Sequence, residues 1–397
     1  MKNIILTVDD KKQSKQLIDW YQKAVDEAVE LYIMTAYLTD WPVNKPLNKK
    51  CRRIQIIVGT DFGLTRRKAL KKVLKWLPNH EKSALLAVES TQNFHPKLLM
   101  WKTASGKCYL VVGSSNISVG GFEKNIEANI QVDINKTEFE QVRNKVWYLR
   151  DNHSTPVSED WINSYNESEI SNNNRGKKKK KKAVKKNNKT SQMDFSLLTQ
   201  GYIANYLKYR REQQKGFNRI KSKLTALVKQ CASGNITSAE FYKKMYKLWS
   251  ADTFRFQGEG FQIWGKHARW NQTCSSLLNI INARGKSTFE MDELVKNEID
   301  FLQSKDNRTR KSWLSEMICH YYPEIYPVRN KPVRKWLSDS NYKAPRKASD
   351  GAIYIDIALK LRSGLNQLKP RVQNLAQMDT LIWRWHDLKY PKKKPKR

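Results

Sequence analysis

Apolar positions in the first 150 residues alternate between a helical and a strand spacing. Residues 13–29 carry apolar side chains three and four positions apart, which predicts an amphipathic helix, and a basic helix is predicted around residues 65–77. Short runs of apolar or β-branched residues each predict a strand; they cover residues 31–38, 54–59, 85–88, 98–101, 109–113 and 126–132. We therefore predict an α/β domain, a mixed sheet flanked by helices, over residues 1–160.

After about residue 195 the pattern changes to helical segments separated by polar breaks. Thr237 with Glu240, and Ser287 with Glu290, have the spacing of capping boxes that open helices. Further helices are predicted near three ranges, with a proline-containing loop at 322–330; these are residues 308–321, 352–363 and 371–388. Residues 195–388 are expected to form a mainly α-helical, basic domain.

Two segments are rich in lysine and nearly free of apolar residues. Residues 161–194 include six consecutive lysines at 177–182, and residues 389–397 end in PKKKPKR. Such a composition cannot bury enough apolar surface to fold, so we expect a disordered linker and a disordered basic tail. The linker is either a spacer or an arm that binds phosphate backbones, and the sequence leaves both interpretations open.

The net charge is strongly positive and is concentrated in the second half. The 397 residues include 74 Lys and Arg against 38 Asp and Glu, a formal charge of +36. Residues 1–150 hold 25 basic against 15 acidic residues, leaving 49 against 23 in residues 151–397. A field of this sign attracts phosphate backbones. The expected partner is DNA, or RNA in its place, and an anionic membrane surface is the competing one.

The cysteine pattern and the hydropathy of the chain indicate in which cellular compartment the protein is found. The five cysteines contain no Cys-x-x-Cys pair, which favours a reducing environment. The N-terminal apolar run is too short for a signal peptide, and no apolar stretch approaches the roughly 20 residues of a membrane span. We expect a cytoplasmic protein that does not insert into a membrane.

Polar side chains suited to phosphate chemistry lie at the ends of two predicted strands. His95 and Lys97 are two positions apart and so share one face of a strand. Ser114 and Asn116 follow Gly113, at the end of the next apolar run. If the two strands are neighbours, an imidazole, an ammonium, a hydroxyl and an amide converge. Lys, Ser and Asn can stabilise negative charge, and His can attack phosphorus or transfer protons.

The ordered pattern His95-x-Lys97, Gly113-Ser114-x-Asn116 and Asn125-x-Glu127 resembles the phospholipase D superfamily, and within it the single-motif nucleases and restriction endonucleases. The resemblance covers about residues 10–150. It implies that His95 forms a phosphohistidine, that Lys97 and Asn116 neutralise the phosphate oxygens, and that Ser114 and Ser115 help to bind the phosphate. It also implies that Glu127 orients the imidazole, and that neither a metal nor another cofactor is needed.

The chain departs from the family pattern in two ways. Many members carry Asp at the position of Lys102, which leaves Glu127 as the orienting carboxylate. Members with two motif copies obtain a general acid from the second His, whereas this chain has one copy. We therefore expect a homodimer whose active site joins two His95 residues. The resulting prediction is a metal-independent DNA endonuclease, with restriction or defence against foreign DNA as its setting.

Other interpretations stay open at this point. Residues 113–118 can be an ordinary turn, and Asp61 can either ligate Mg²⁺ or belong to a turn, the turn being favoured. His320 beside Cys319 has no second pair at zinc spacing. Candidate DNA-contacting residues are Arg66, Arg67, Lys71, Arg329, Lys331, Arg334 and Lys335. A phospholipid-cleaving enzyme, an inert nucleic-acid-binding subunit and an assembly subunit are the alternative functions.

Overall fold

The computed structural model describes residues 2–7, 11–88, 93–168, 193–249, 256, 261 and 265–391. The chain divides into two compact units between Gln192 and Met193. The division falls inside the segment 161–194 expected to be a disordered linker, and residues 169–192 of that segment lie outside the described residues. For residues 161–168 the expectation of disorder is wrong, because Ile162 and Tyr165 are buried in the core of the N-terminal unit. Residues 392–397 of the expected basic tail lie outside them as well.

The N-terminal unit is built on an eight-stranded mixed sheet in the order β1-β7-β6-β5-β2-β3-β4-β8. The strands are β1 (Lys2–Thr7), β2 (Ala28–Thr35), β3 (Arg53–Gly59), β4 (Leu85–Val88), β5 (Lys97–Thr103), β6 (Cys108–Gly113), β7 (Glu127–Ile134) and β8 (Ser154–Pro156). The central pairs β2–β3 and β3–β4 are parallel and the remaining pairs are antiparallel. The predicted mixed sheet is confirmed.

Helices cover both faces of this sheet. They are α1 (Lys11–Glu27), α2 (Arg67–Trp76), α3 (Lys136–His153) and α4 (Glu159–Ser164). On one face, α1 and α2 pack against a buried cluster that includes Ile33 and Trp101. On the other face, Phe139 of α3 contacts Tyr32 of β2 with ring centroids 6.0 Å apart. The core that supports the sheet therefore lies mainly under α1 and α2.

The C-terminal unit is helical, as predicted. Its helices are α5 (Ala204–Ala232), α6 (Ser238–Trp249), α7 (Trp270–Asn282), α8 (Thr288–Ser304), α9 (Trp313–Tyr321), α10 (Lys331–Asp339), α11 (Asp350–Leu368) and α12 (Leu375–Lys389). Both predicted capping boxes form: the side chains of Thr237 and Ser287 accept from the backbone N–H groups of Glu240 and Glu290. Each carboxylate in turn accepts from the N–H of its own cap residue, so four N–H groups are satisfied.

A buried ion pair joins two helices of the C-terminal unit. Arg210 of α5 donates from Nη2 to Oδ2 of Asp379 of α12 over 2.8 Å, and Asn330 donates to the other carboxylate oxygen over 2.7 Å. Burial raises the pKa of Asp379 to about 6, opposed by the charge of Arg210. The guanidinium also lies 3.8 Å from the ring centre of Phe256. Two helices and two further segments are thus fixed together by one charged cluster.

Candidate active site

The predicted site residues gather at one edge of the sheet. Register places Lys97, the first residue of β5, opposite Thr35, the last of β2. Gly113 ends β6 opposite Asn129 of β7, whose first residue is Glu127. Since β5 and β6 are hydrogen-bonded neighbours, the predicted convergence of the two motif segments is present in the fold.

His95 and Lys97 are in direct contact. The Lys97 ammonium lies 2.9 Å from Nδ1 and 3.3 Å from Nε2 of the imidazole, and it donates to the His95 carbonyl oxygen over 2.9 Å. An ammonium can only donate, and which of the two ring nitrogens accepts from it depends on the tautomer of the imidazole. The ring of Tyr37 meets the imidazole edge-on at 5.9 Å. His95 is exposed, so an external phosphate can approach it.

Burial lowers the pKa of Lys97 below its usual value, and the negative charge of Glu127 raises it in partial compensation. Lys97 is half-buried, while Glu127 is buried. The positive charge of Lys97, which would neutralise a bound phosphate, is therefore supported by the negative charge of Glu127.

The buried Glu127 carboxylate is held from two sides. The Ser114 hydroxyl donates to Oε2, and the Asn125 amide donates to Oε1 over 3.0 Å. The same hydroxyl accepts from the Ala128 N–H over 3.0 Å. Within the described residues there is no hydrogen bond between Glu127 and His95. Glu127 is placed to fix Ser114 and to support the charge of Lys97 electrostatically.

The Asn116 side chain is oriented by residues that the sequence analysis missed. Its Oδ1 accepts from the Tyr37 N–H over 3.1 Å and lies 3.3 Å from the Thr35 hydroxyl. That hydroxyl also accepts from the Ile117 N–H over 3.1 Å. Because these contacts engage the oxygen, the NH₂ end of Asn116 is the end that can donate to a substrate. The available signal was Thr35 itself, a small polar residue directly after the apolar run at residues 31–34.

Ser115 differs from its neighbours because it faces inward. It is buried, and its hydroxyl accepts from the Asn129 amide over 2.8 Å. Ser115, which was predicted to help bind the phosphate, is thus turned into the protein and away from solvent. Gly113 has a packing reason to lack a side chain, since a Cβ there would lie 2.2 Å from the Asn129 Oδ1. The Gly-Ser-Ser-Asn segment is therefore fitted closely against β7.

Two of the three DNA-contact candidates near α2 have internal partners. Arg66 pairs with Glu167 at 3.2 Å and donates to the Ser168 carbonyl oxygen over 2.7 Å. Arg67 donates to the carbonyl oxygen of Tyr165. These arginines hold the segment that follows α4, whereas Lys71 is exposed and makes no ion pair with any described residue.

The candidates around α10 divide in the same way. Arg329 lies 3.5 Å from Asp350, which also pairs with Arg310, and Lys335 pairs with Asp339 at 3.3 Å. Lys331 and Arg334 are exposed and have no ion-pair partner within the described ranges. Lys331 and Arg334 therefore remain available to an external anion.

Several remaining residues have defined places. Lys102 lies five residues along β5 from Lys97 and so faces the opposite side of the sheet. His320 is buried between the rings of Phe217 and Phe256, at 4.1 and 3.9 Å.

In the described part of the chain, no three His, Cys, Asp or Glu side chains form a group that could hold a metal ion. Among these residues there is also no helix long and apolar enough to span a bilayer.

The sheet and its His-x-Lys, Gly-Ser-x-Asn edge are similar to a phospholipase-D-type domain. Residues 15–155 match the family model described as the NgoFVII restriction endonuclease N-terminal PLD domain. This match confirms the predicted resemblance to the phospholipase D superfamily and the predicted fold of the N-terminal unit. It does not extend to the helical unit.

Two solved structures are also similar to part of the chain. NucT from Helicobacter pylori matches at 12% identity with a TM-score of 0.29, over 40% of this chain and 99% of its own. Nuc from Salmonella typhimurium, a phospholipase D family member, matches at 12% identity with a TM-score of 0.30, over 40% and 99%. No curated protein matches the sequence.

Proposed function

We propose that the protein is a metal-independent DNA endonuclease of the phospholipase D type. The observation that carries this proposal is the 2.9 Å contact between Lys97 and the His95 imidazole at an exposed sheet edge, the same edge at which Thr35 and Tyr37 hold the Asn116 amide by its oxygen. A neutral imidazole, a cation and an amide donor are the groups needed to attack a phosphodiester and to stabilise the charge that develops. The restriction-endonuclease family matched by residues 15–155 supports a nucleic acid as substrate.

The proposed reaction has two displacements at phosphorus. A His95 ring nitrogen attacks, the bond to one ester oxygen breaks, and the DNA remains attached through the other ester bond as a phosphohistidine. Water then attacks the phosphorus and gives up a proton to the group that had protonated the leaving oxygen, which breaks the bond to His95 and leaves a terminal phosphate. Lys97 supplies a positive charge and Asn116 a hydrogen-bond donor for the non-bridging oxygens. Glu127 holds Ser114 in place by accepting its hydrogen bond, and the negative charge of Glu127 favours the charged form of Lys97.

The leaving oxygen needs a proton, which we assign to a second His95. A homodimer with its two-fold axis at the sheet edge would bring the imidazole of the partner subunit to the site. Mixing wild-type chains with an excess of inactive His95→Ala chains tests this arrangement, because exchanged dimers would hold one imidazole each and lose activity. A monomer that retains full activity at all dilutions excludes it.

The helical unit is proposed to deliver DNA to the nuclease unit, with residues 1–160 catalytic and residues 195–388 binding. Lys331 and Arg334, both exposed and unpaired within the described residues, are its candidate phosphate contacts. A phospholipase of the same mechanism is the second candidate. It is favoured only by the excess of basic residues, which would also attract an anionic lipid.

The direct test uses purified protein and plasmid DNA in EDTA. We expect nicking or linearisation by the wild type and none by His95→Ala. The His153→Ala variant is the matched control, since His153 lies at the end of α3 and outside the motif. Cleavage that requires Mg²⁺, or that survives in His95→Ala, would contradict the proposal, and cleavage of phosphatidylglycerol alone would assign a lipid substrate.

A further inference from the structure

An exposed phenylalanine stands in the loop after β3, at the same sheet edge as His95. The Phe62 side chain is 81% exposed, and its backbone has a φ of 57°, in the left-handed region. A bulky residue rarely adopts this conformation because its Cβ is crowded there. The exposed ring does not stabilise the core, and the backbone conformation of Phe62 is unfavourable. Residues with such strained backbones concentrate at sites that contact ligands.

The Phe62 loop is fixed at both ends. The Thr60 hydroxyl donates to the Val88 carbonyl oxygen over 2.7 Å, and the Gly63 N–H donates to the Thr60 carbonyl oxygen over 3.2 Å. The Gly63 carbonyl oxygen accepts from the backbone N–H and the hydroxyl of Ser168 over 2.9 and 3.0 Å. These contacts hold the loop in one conformation, so the outward position of the ring is a defined feature of the fold.

The loop begins beside the segment that carries His95. A Cβ at Gly59 would lie 2.5 Å from the Ala36 carbonyl oxygen and 3.1 Å from the Phe94 ring, so the end of β3 packs directly on the residue before His95. In the sheet, β3 is separated from β5 by β2 alone. Two strand spacings amount to about 10 Å. This is a distance that the nucleotides adjoining a phosphate at His95 can span.

A row of cations starts six residues after Phe62. Lys68, Lys71 and Lys75 are spaced three and four apart on α2 and make no ion pair with any described residue. Lys72 of the same helix is neutralised by Asp40. An aromatic ring beside unpaired cations is the combination with which proteins bind exposed bases and the backbone that links them.

We propose that Phe62 stacks on a nucleobase next to the scissile phosphate, while Lys68, Lys71 and Lys75 contact the adjoining backbone. This inference rests on the proposed function and makes it more specific. A base inside a duplex is already stacked on its neighbours, so Phe62 can engage only an unpaired or extruded base. The preferred substrate is therefore single-stranded or locally opened nucleic acid.

The test measures binding without catalysis. The full chain carrying His95→Ala is titrated in EDTA with labelled oligothymidylate and with an abasic oligomer of the same length. Adding Phe62→Ala should weaken binding of oligothymidylate by about 5- to 140-fold, the range of base–aromatic stacking. It should leave binding of the abasic strand unchanged. Phe62→Trp should bind oligothymidylate as well as the parent or better.

Two sets of variants serve as controls. Ile4 is 76% exposed and lies in β1, the edge strand five positions from β3 in the sheet order. Ile4→Ala should change neither the affinity for oligothymidylate nor that for the abasic strand. Replacing Lys68, Lys71 and Lys75 with Gln should weaken both strands alike and reduce the salt dependence, by about 0.7 in log–log slope for each phosphate that is no longer neutralised.

Equal affinity of Phe62→Ala and its parent for oligothymidylate, or an equal loss on the abasic strand, would overturn the proposal. If Phe62→Ala loses binding to phosphatidylglycerol vesicles and keeps it for oligothymidylate, the ring is a membrane contact and the proposal is again wrong. Failure of the proposed function would be visible separately, as wild-type protein that does not cleave DNA although base-dependent binding requires Phe62.

Discussion

Thr35 and Asn116 are joined across 81 positions of sequence by one hydroxyl group. The hydrogen of the Thr35 hydroxyl is within reach of Asn116 Oδ1 at 3.3 Å and of the Tyr37 carbonyl oxygen at 2.8 Å. Its oxygen accepts from the Ile117 N–H. The end of β2 therefore fixes the turn that presents the Asn116 amide, and Thr35 is a positioning residue for the proposed reaction.

Thr35→Val should lower kcat more than it raises KM, because the isosteric side chain leaves the Ile117 N–H unpaired and frees Asn116 to turn. An unsatisfied buried group costs about 1–3 kcal/mol. If that energy is lost from the transition state, kcat falls about 5- to 150-fold. Thr35→Ser, which keeps the hydroxyl, should restore most of the activity. Equal kinetics for the Val and Ser variants would show that the hydroxyl has no positioning role.

The alkaline limit of activity should depend on Glu127. Lys97 must be charged to neutralise phosphate, and its pKa is lowered by burial but raised by the Glu127 carboxylate. Activity should therefore fall as pH rises through this pKa, and Glu127→Gln should move the fall to lower pH. The measurement is kcat against pH in EDTA. Glu123→Gln, which changes an exposed carboxylate nearby, is the control and should leave the profile in place. An unmoved alkaline limb in Glu127→Gln would contradict this coupling.

The two exposed cations of α10 should contribute to DNA affinity, whereas Arg329 should contribute to stability. Lys331→Gln with Arg334→Gln should reduce the slope of log affinity against log salt by about 0.9 for each duplex phosphate that is no longer neutralised. Arg329→Gln should leave that slope unchanged and lower the free energy of unfolding by about 1–3 kcal/mol, because Arg329 pairs with Asp350. Fluorescence anisotropy at several salt concentrations separates the two, and an unchanged slope in the double variant would remove α10 from the DNA-binding surface.

Asp379 should give the helical unit an acid-dependent stability. Its pKa is raised from 3.8 to about 6 in the folded state by burial. The folded unit then binds more protons than the unfolded one between about pH 4 and 6, so this contribution is complete below pH 4 and is lost as pH rises through 6. Over that window the unfolding free energy of wild type relative to Asp379→Asn should fall by about 3 kcal/mol.

Hydrogen exchange of peptides from residues 193–391 reports this difference without interference from the other unit. Asp306→Asn, a change at an exposed carboxylate, is the control and should show the wild-type dependence on pH. A difference between wild type and Asp379→Asn that is constant from pH 4 to 6 would be incompatible with a raised pKa.

The sequence predicted elements whose signal is local. The strand at residues 85–88 and both capping boxes were confirmed, and α1 and α2 lie within a few residues of their predicted ranges. It did not predict β1 or β8, which are short runs that become strands only because β7 and β4 offer hydrogen-bonding edges. The 29-residue α5 was also missed, since its many basic residues and Gly216 obscure the apolar spacing.

For the site, the ordered motif predicted which segments meet, because residue spacing and strand ends are properties of the sequence. It could not predict which atoms pair. That Glu127 contacts Ser114 and Asn125, that Ser115 faces inward, and that Arg66 and Arg67 bind the chain after α4 all depend on tertiary packing. The positions of Thr35 and Phe62 depend on it in the same way.

The proposed phosphohistidine mechanism is tested most sharply by trapping the intermediate on His95. Wild-type protein is mixed with DNA in EDTA, quenched in alkali, where a phosphohistidine survives, and digested for mass spectrometry. A nucleotide adduct is expected on the peptide that contains His95, and it should be lost on acid treatment and absent from the His95→Ala variant. Efficient metal-free cleavage with no adduct on His95, or an adduct on another residue, would contradict this mechanism.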